Sequence, residues 1–219
     1  MILSDKMLKI DIYNSFDLLY FLKSKNRLSH CKDEFWWENS GTLEVVFGTI
    51  LVQNTKWEQV KKAINNLKSR NLLSLQSFVN VDLRLLEYLI QNCGFYRQKA
   101  LYLKLLATNI INEFGDFDCF KNNASREWLL NQKGIGFESA DSILNYAFYR
   151  EVMVVDKYTQ KLLNTQGFEF EDYESLQDWL VCGIVENYDK VEDLYYKEIP
   201  LSKVYARFHA KIVEFSKLK

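Results

Sequence analysis

At 219 residues, 48% hydrophobic and 26% charged, the chain can bury one core, or two small lobes sharing one, and is too apolar to remain disordered. A formal net charge of −1 excludes a nucleic-acid binder that works by overall positive charge, while leaving room for a local basic face. One proline and eight glycines, with many Leu, Lys, Glu and Asn, predict an all-α protein.

No run reaches the roughly 18 apolar residues that span a bilayer, and even Val45 to Val52 is short. A soluble protein with no membrane partner is therefore expected. Met1 to Lys25 has neither a continuous apolar segment nor a small-residue cleavage site, which argues against a secretory signal and for a cytoplasmic protein. Cys31, Cys93, Cys119 and Cys182 are widely scattered with no Cys-x-x-Cys pair. That spacing fits reduced thiols rather than a disulfide framework, and no metal site is expected.

In chain order, Ser15 is the expected N-cap of a helix carrying Phe16, Leu18, Leu19, Phe21 and Leu22 on one side. Asn26 to His30 reads as a loop. Phe35-Trp36-Trp37 puts three aromatics in a polar setting, suited either to packing under the first helix or to holding a ligand. Leu43 to Val52 is apolar enough for a buried central helix, and Lys56 to Ser69 for a surface helix with Trp57, Val60, Ile64 and Leu67 inward. Leu72 to Gln91 holds two shorter helices around Asn80-Val81-Asp82. Gly94-Phe95-Tyr96-Arg97-Gln98-Lys99-Ala100 opens a helix through Asn112. Further helices are expected over Lys157 to Thr165, Tyr173 to Asn187 and Leu201 to Lys217.

Charge is unevenly spread along this order. Lys56 to Lys104 holds nine basic residues against three acidic, whereas Asp156 to Glu198 holds eleven acidic residues against four lysines. The pattern predicts a basic face that could meet phosphates and an acidic face turned to solvent.

Between Trp128 and Tyr158 lies the most informative stretch. Gly134 and Gly136 stand one residue apart, flanked by apolar residues at helical spacing, so a tight turn joins two helices as a helix-hairpin-helix. Amides at the start of the second helix form an anion site that a DNA phosphate fits. By itself Gly-x-Gly between helices suits a plain αα-corner equally well.

Leu129-Leu130-x-x-x-Gly134-Ile135-Gly136-x-x-Ser139-Ala140, followed by Val154-Val155-Asp156 before a further helix, resembles the helix-hairpin-helix DNA glycosylases of the endonuclease III superfamily. The resemblance covers roughly Ser15 to Lys217. It implies an all-α fold of two helical lobes with an active-site cleft between them. Residues 42–150 would form a six-helix lobe containing the hairpin, and residues 1–41 plus 151–219 a second lobe built from both termini. The implied partner is double-stranded DNA carrying a damaged base, met by a monomer in the bacterial cytoplasm at the nucleoid. Lys133, Gly134, Ile135 and Gly136 would hold the backbone, Gln53 would fill the gap left by the extruded base, and Phe95 would be the apolar wedge.

Asp156 is the implied catalytic residue, its carboxylate stabilising positive charge on the deoxyribose and orienting water; as a plain N-cap it would occupy the same place. Bifunctional members carry a Schiff-base lysine two residues after the second glycine, and here that position is Glu138. The expectation is a monofunctional enzyme leaving an abasic site. Many relatives hold an iron–sulfur cluster on four closely spaced C-terminal cysteines. No cysteine follows Cys182 in this sequence, so no cluster and no required cofactor are expected.

Trp36, Trp37 and Trp57, with the Gln53-Asn54-Thr55-Lys56-Trp57 run, resemble the bacterial 3-methyladenine branch that lacks the cluster. Cationic alkylated purines bind aromatic faces selectively. Arg207-Phe208-His209-Ala210-Lys211 resembles the same branch. Lys211 flanks the apolar stripe and either turns inward, neutral or modified by carbon dioxide, or snorkels to solvent. His209 is read as structural. Competing readings are a bifunctional enzyme for oxidised pyrimidines and a non-catalytic DNA-holding module.

Overall fold

The structure, a computed structural model, describes residues 10–25, 28 and 33–217. Most of the loop expected over Asn26 to His30 lies outside them, as does Cys31. Among the described residues every regular element is helical, and none is long and apolar enough to cross a membrane. The chain divides into two compact units, one of Met1–Trp36 with Glu151–Lys219, the other of Trp37–Arg150.

The continuous unit is organised around α2 (Leu43–Leu51), whose residues are all buried except Glu44. A run apolar on every side makes a central helix, because no face of it gains from water. Phe47 of α2 meets Phe78 of α4 (Leu75–Asn80) with ring centroids 4.1 Å apart. Such a fully buried aromatic contributes about 2 to 3 kcal/mol by transfer from water. Around them pack α3 (Trp57–Lys68), α5 (Leu83–Leu89) and α6 (Tyr96–Phe114). The short α7 (Phe117–Asn123) and α8 (Arg126–Leu130) lead into the hairpin and α9 (Phe137–Ser142). α9 runs on into a π-helical turn, Ile143–Ala147, closed by Phe148 N–H donating to the Ile143 carbonyl at 3.1 Å.

In the split unit, α1 (Ser15–Ser24) packs with α10 (Lys157–Gln166), α11 (Tyr173–Val185), α12 (Tyr188–Tyr195) and α13 (Leu201–Ser216). Leu18, Leu19 and Leu22 join Leu163, Leu180, Ile184 and Phe208 in one core. The N-cap of α1 is Asn14, not Ser15. Asn14 and Asp17 form a reciprocal capping box, which frees the buried Ser15 hydroxyl to donate to the Leu180 carbonyl at 2.6 Å. Gly183 permits that approach, since a Cβ there would stand 2.4 Å from Ser15 Oγ. The helix α12 is an addition to the expected set; Val191 is its sole fully buried residue, too sparse a pattern to separate it from α11.

Candidate active site

Asp156 ends an extended, buried segment, Met153-Val154-Val155, tied to α11 by Gln177 Nε2 donating to the Met153 carbonyl at 2.6 Å. The carboxylate then caps α10: Oδ1 accepts from Thr159 N–H at 2.8 Å and from Thr159 Oγ1 at 2.9 Å. Oδ2 lies 3.4 Å from His209 Nε2 on α13, with the two side chains 8% and 6% exposed. Burial alone would raise the carboxyl's pKa. The attraction of His209, and hydrogen bonds from Thr159, outweigh burial and hold it below the ordinary aspartate value. Capping and a catalytic carboxylate are thus compatible, because one oxygen caps while the other is left to different partners.

His209 is buried, and Trp36 meets its ring edge-on at 5.9 Å. Trp36 is set by the short 33–36 segment, in which Trp36 N–H donates to the Asp33 carbonyl at 3.0 Å. The segment is fastened to α13 by the Glu34–Lys203 ion pair and by Arg207 Nη1 donating to the Glu34 carbonyl at 3.1 Å. Lys217 Nζ stands 5.6 Å from the Trp36 ring centroid. Lys211, on the same helix, turns inward and is 4% exposed. Burial, with Arg207 and Lys23 adding repulsion, lowers its amine to about 8.

The other two tryptophans belong to the continuous unit. Trp37 and Trp57 meet edge to face at 5.6 Å and 86°, and Trp37 also contacts Tyr146 at 5.4 Å. Perpendicular rings cannot sandwich a base; a base would stack on one ring beside the edge of the other. The π-helical turn orients this group, since the Tyr146 carbonyl accepts from Gly41 N–H at 2.8 Å. Such turns free a backbone carbonyl from the α ladder.

The hairpin separates its two glycines by task. Gly134 has φ +84°, and a Cβ there would meet Tyr102 of α6 at 2.2 Å. Gly136 is exposed, with nothing within 4 Å of an added Cβ, and it is the N-cap of α9. Lys133 and Glu138 are exposed, but the Ile135 side chain is buried. Of the expected backbone-binding group, Ile135 can therefore offer only its main chain. Arg126 and the fully buried Asp141 close the motif, joined at 2.7 and 3.1 Å, the bidentate pairing that fixes both partners.

Gln53 faces this hairpin: its Nε2 donates to the Gly134 carbonyl at 2.8 Å and to Ser139 Oγ at 3.1 Å. Phe95 is 73% exposed, with left-handed backbone at φ +55° as N-cap of α6. Sequence reasoning placed Lys99 in the run after Phe95 and counted its charge, but gave it no role. It is 4% exposed and donates to the carbonyls of Leu51 and Gln53 and to Thr55 Oγ1, and burial lowers its pKa. The signal was a lysine heading the buried stripe Leu103, Leu106 and Ile110. No group of three or more His, Cys, Asp or Glu among the described residues could hold a metal ion.

Known proteins bear on this arrangement. Over 94% of its length the chain is similar, at 44% identity and a TM-score of 0.90, to 98% of the Helicobacter pylori 3-methyladenine DNA glycosylase MagIII, solved with 1,N6-ethenoadenine bound. It is 35% identical, over 93% of its length and 89% of the relative's, to a Methanocaldococcus jannaschii protein whose name assigns it provisionally to the DNA repair glycosylases. Endonuclease III in a trapped covalent DNA complex shares the fold at 17% identity and a TM-score of 0.71, with 93% and 86% of the two chains covered. The HhH-GPD family model matches residues 47–176, so the chain belongs to the HhH-GPD superfamily of base excision DNA repair proteins.

Proposed function

We propose that this member is a monofunctional DNA glycosylase that hydrolyses the N-glycosidic bond of alkylated purines such as 3-methyladenine. The observation that carries the reading is the pairing of a buried, charge-stabilised Asp156 with Glu138 at the position where a bifunctional enzyme needs an amine. A carboxylate held ionised beside the sugar stabilises the positive charge that develops as the base leaves, and orients the attacking water. Glu138 cannot form an imine, so water is the acceptor and an abasic site the product. The reaction needs no cofactor and no iron–sulfur cluster, and a monomer suffices.

The substrate reading is supported by the tryptophans and by the similarity to a 3-methyladenine enzyme. A cationic purine is attracted to an aromatic face and already has a weakened glycosidic bond. The start of α9 at the exposed Gly136, with the exposed Lys133, holds the backbone. Phe95 parts the stack, and Gln53 fills the gap by exchanging its bonds to Gly134 and Ser139 for bonds to bases.

The test is base release from methylated DNA and from a duplex containing 1,N6-ethenoadenine, with free bases identified by chromatography. Asp156→Asn should lower excision by about a hundredfold or more. It should leave DNA affinity and folding intact, because Asn caps a helix as Asp does. Borohydride should trap no covalent adduct. An adduct would establish lyase chemistry, and undiminished excision by Asp156→Asn would remove the carboxylate from the mechanism.

A further inference from the structure

Resting on the glycosylase reading, we propose that Lys99 is a positioning residue for base extrusion: it locks the Gln53 turn to the Phe95 turn, so that gap-filler and wedge enter the duplex as one piece.

The two turns are separated by about forty residues in sequence, and a closed set of hydrogen bonds joins them. Lys99 Nζ donates to Leu51 O at 2.9 Å, Gln53 O at 2.7 Å and Thr55 Oγ1 at 3.0 Å. Those bonds use all three ammonium protons. Thr55 Oγ1 in turn donates to Gln53 O at 3.1 Å and accepts from Gly94 N–H at 3.2 Å. The hydroxyl is thereby filled as donor and twice as acceptor.

Lys99 also stands in the first turn of α6, where its own N–H donates to the Phe95 carbonyl at 3.1 Å. The ammonium that ends α2 therefore belongs to the helix that Phe95 caps. Through the Gln53 side chain the same network reaches Gly134 and Ser139 in the hairpin.

A left-handed, mostly exposed phenylalanine persists only where its surroundings hold it. Here the Gly94 amide and the Lys99 turn do so. Were this ammonium merely an end-cap for α2, nothing would require it to be carried by the wedge helix. Burial of a charge on neutral oxygens is costly unless every proton is used. Methionine at this position would thus strip the Leu51 carbonyl of its ammonium partner, leave the Gln53 carbonyl only the Thr55 hydroxyl, and leave the turns tied through Thr55 and Gly94 without the lysine.

The test compares Lys99→Met with wild type in two ways. Amide hydrogen exchange of the protein alone should quicken together over residues 52–55 and 93–96. Single-turnover excision of 1,N6-ethenoadenine should fall about tenfold from a base pair, yet less than about threefold from an unpaired bulge, where the base is already out of the stack. Lys99→Arg should recover part of the loss.

Should Lys99→Met fail to fold, Thr55→Val, which cuts only the link through the hydroxyl, provides both readouts. Faster exchange in one turn only, or equal losses on paired and bulged substrates, would overturn the proposal. If the wild-type protein freed no base, the glycosylase reading would fall, and exchange alone would decide whether the turns are locked.

Discussion

Lys211 is a residue whose environment alters its ordinary chemistry. Burial holds its amine near 8 in the folded chain, against 10.5 for a free lysine. Below about 8 both states are protonated and the folded protein carries the full cost of a buried charge. Between that pH and about 10.5 only the unfolded chain binds the proton, so folding becomes more favourable as pH rises. Chemical denaturation of wild type from pH 7.5 to 10 should show this rise, and Lys211→Met should flatten it. An unchanged slope in Lys211→Met would mean that other groups produce it. Asp156 follows the usual carboxylate direction. Its folded value lies below 3.8, so the stability it contributes is present at neutral pH and lost as pH falls through that lowered value.

Within the hairpin, two glycines one residue apart should respond oppositely to alanine. Gly134→Ala must adopt positive φ and displace the Tyr102 ring, which costs about 2 to 4 kcal/mol and lowers Tm by about 5 to 10 °C. Gly136→Ala, at φ −102° with open space around it, should melt normally and bind DNA more weakly. A normal Tm for Gly134→Ala would refute the Tyr102 contact, and unaltered DNA affinity in Gly136→Ala the phosphate site. The sequence made such elements visible where one face or one turn dominates: the apolar run of α2, the inward stripe of α3, the hairpin and the cap at Asp156. It did not reveal features that depend on what a side chain finds across space. Asn14 and Ser15 are both good caps, and only the Leu180 carbonyl decides which hydroxyl or amide goes where. The chemistry of Gln53 suits gap-filling and hairpin-binding alike, and Lys99 looked like one more positive charge until its three acceptors were in place. Ile135, within the motif, is buried because the turn must cover its own core.

At the scale of the molecule, charge follows the division into units. Trp37–Arg150 carries 13 basic and 11 acidic residues, whereas the split unit carries 15 and 18. Several cations of the first set are consumed internally, Lys99, Lys104, Arg126 and Arg150 among them. Lys56, Lys62 and Lys133 remain exposed. DNA affinity should therefore fall steeply with salt, and each of these lysines changed to Ala should reduce the logarithmic salt slope by about 1 where it meets a phosphate. Three unchanged slopes would move the DNA-binding face elsewhere. The same division orders events during synthesis. Trp37–Arg150 interrupts the split unit, so α1 leaves the ribosome well before α11, the helix on which Ser15 and Gly183 close. At ordinary translation speeds that interval is about ten seconds. A ten-residue helix is marginal alone, and until α11 arrives Leu18, Leu19 and Leu22 have no core to enter. The inserted unit can meanwhile complete its own core around α2. The nascent chain thus passes through a state with one finished half and one exposed leucine face, and it is there that a chaperone would bind.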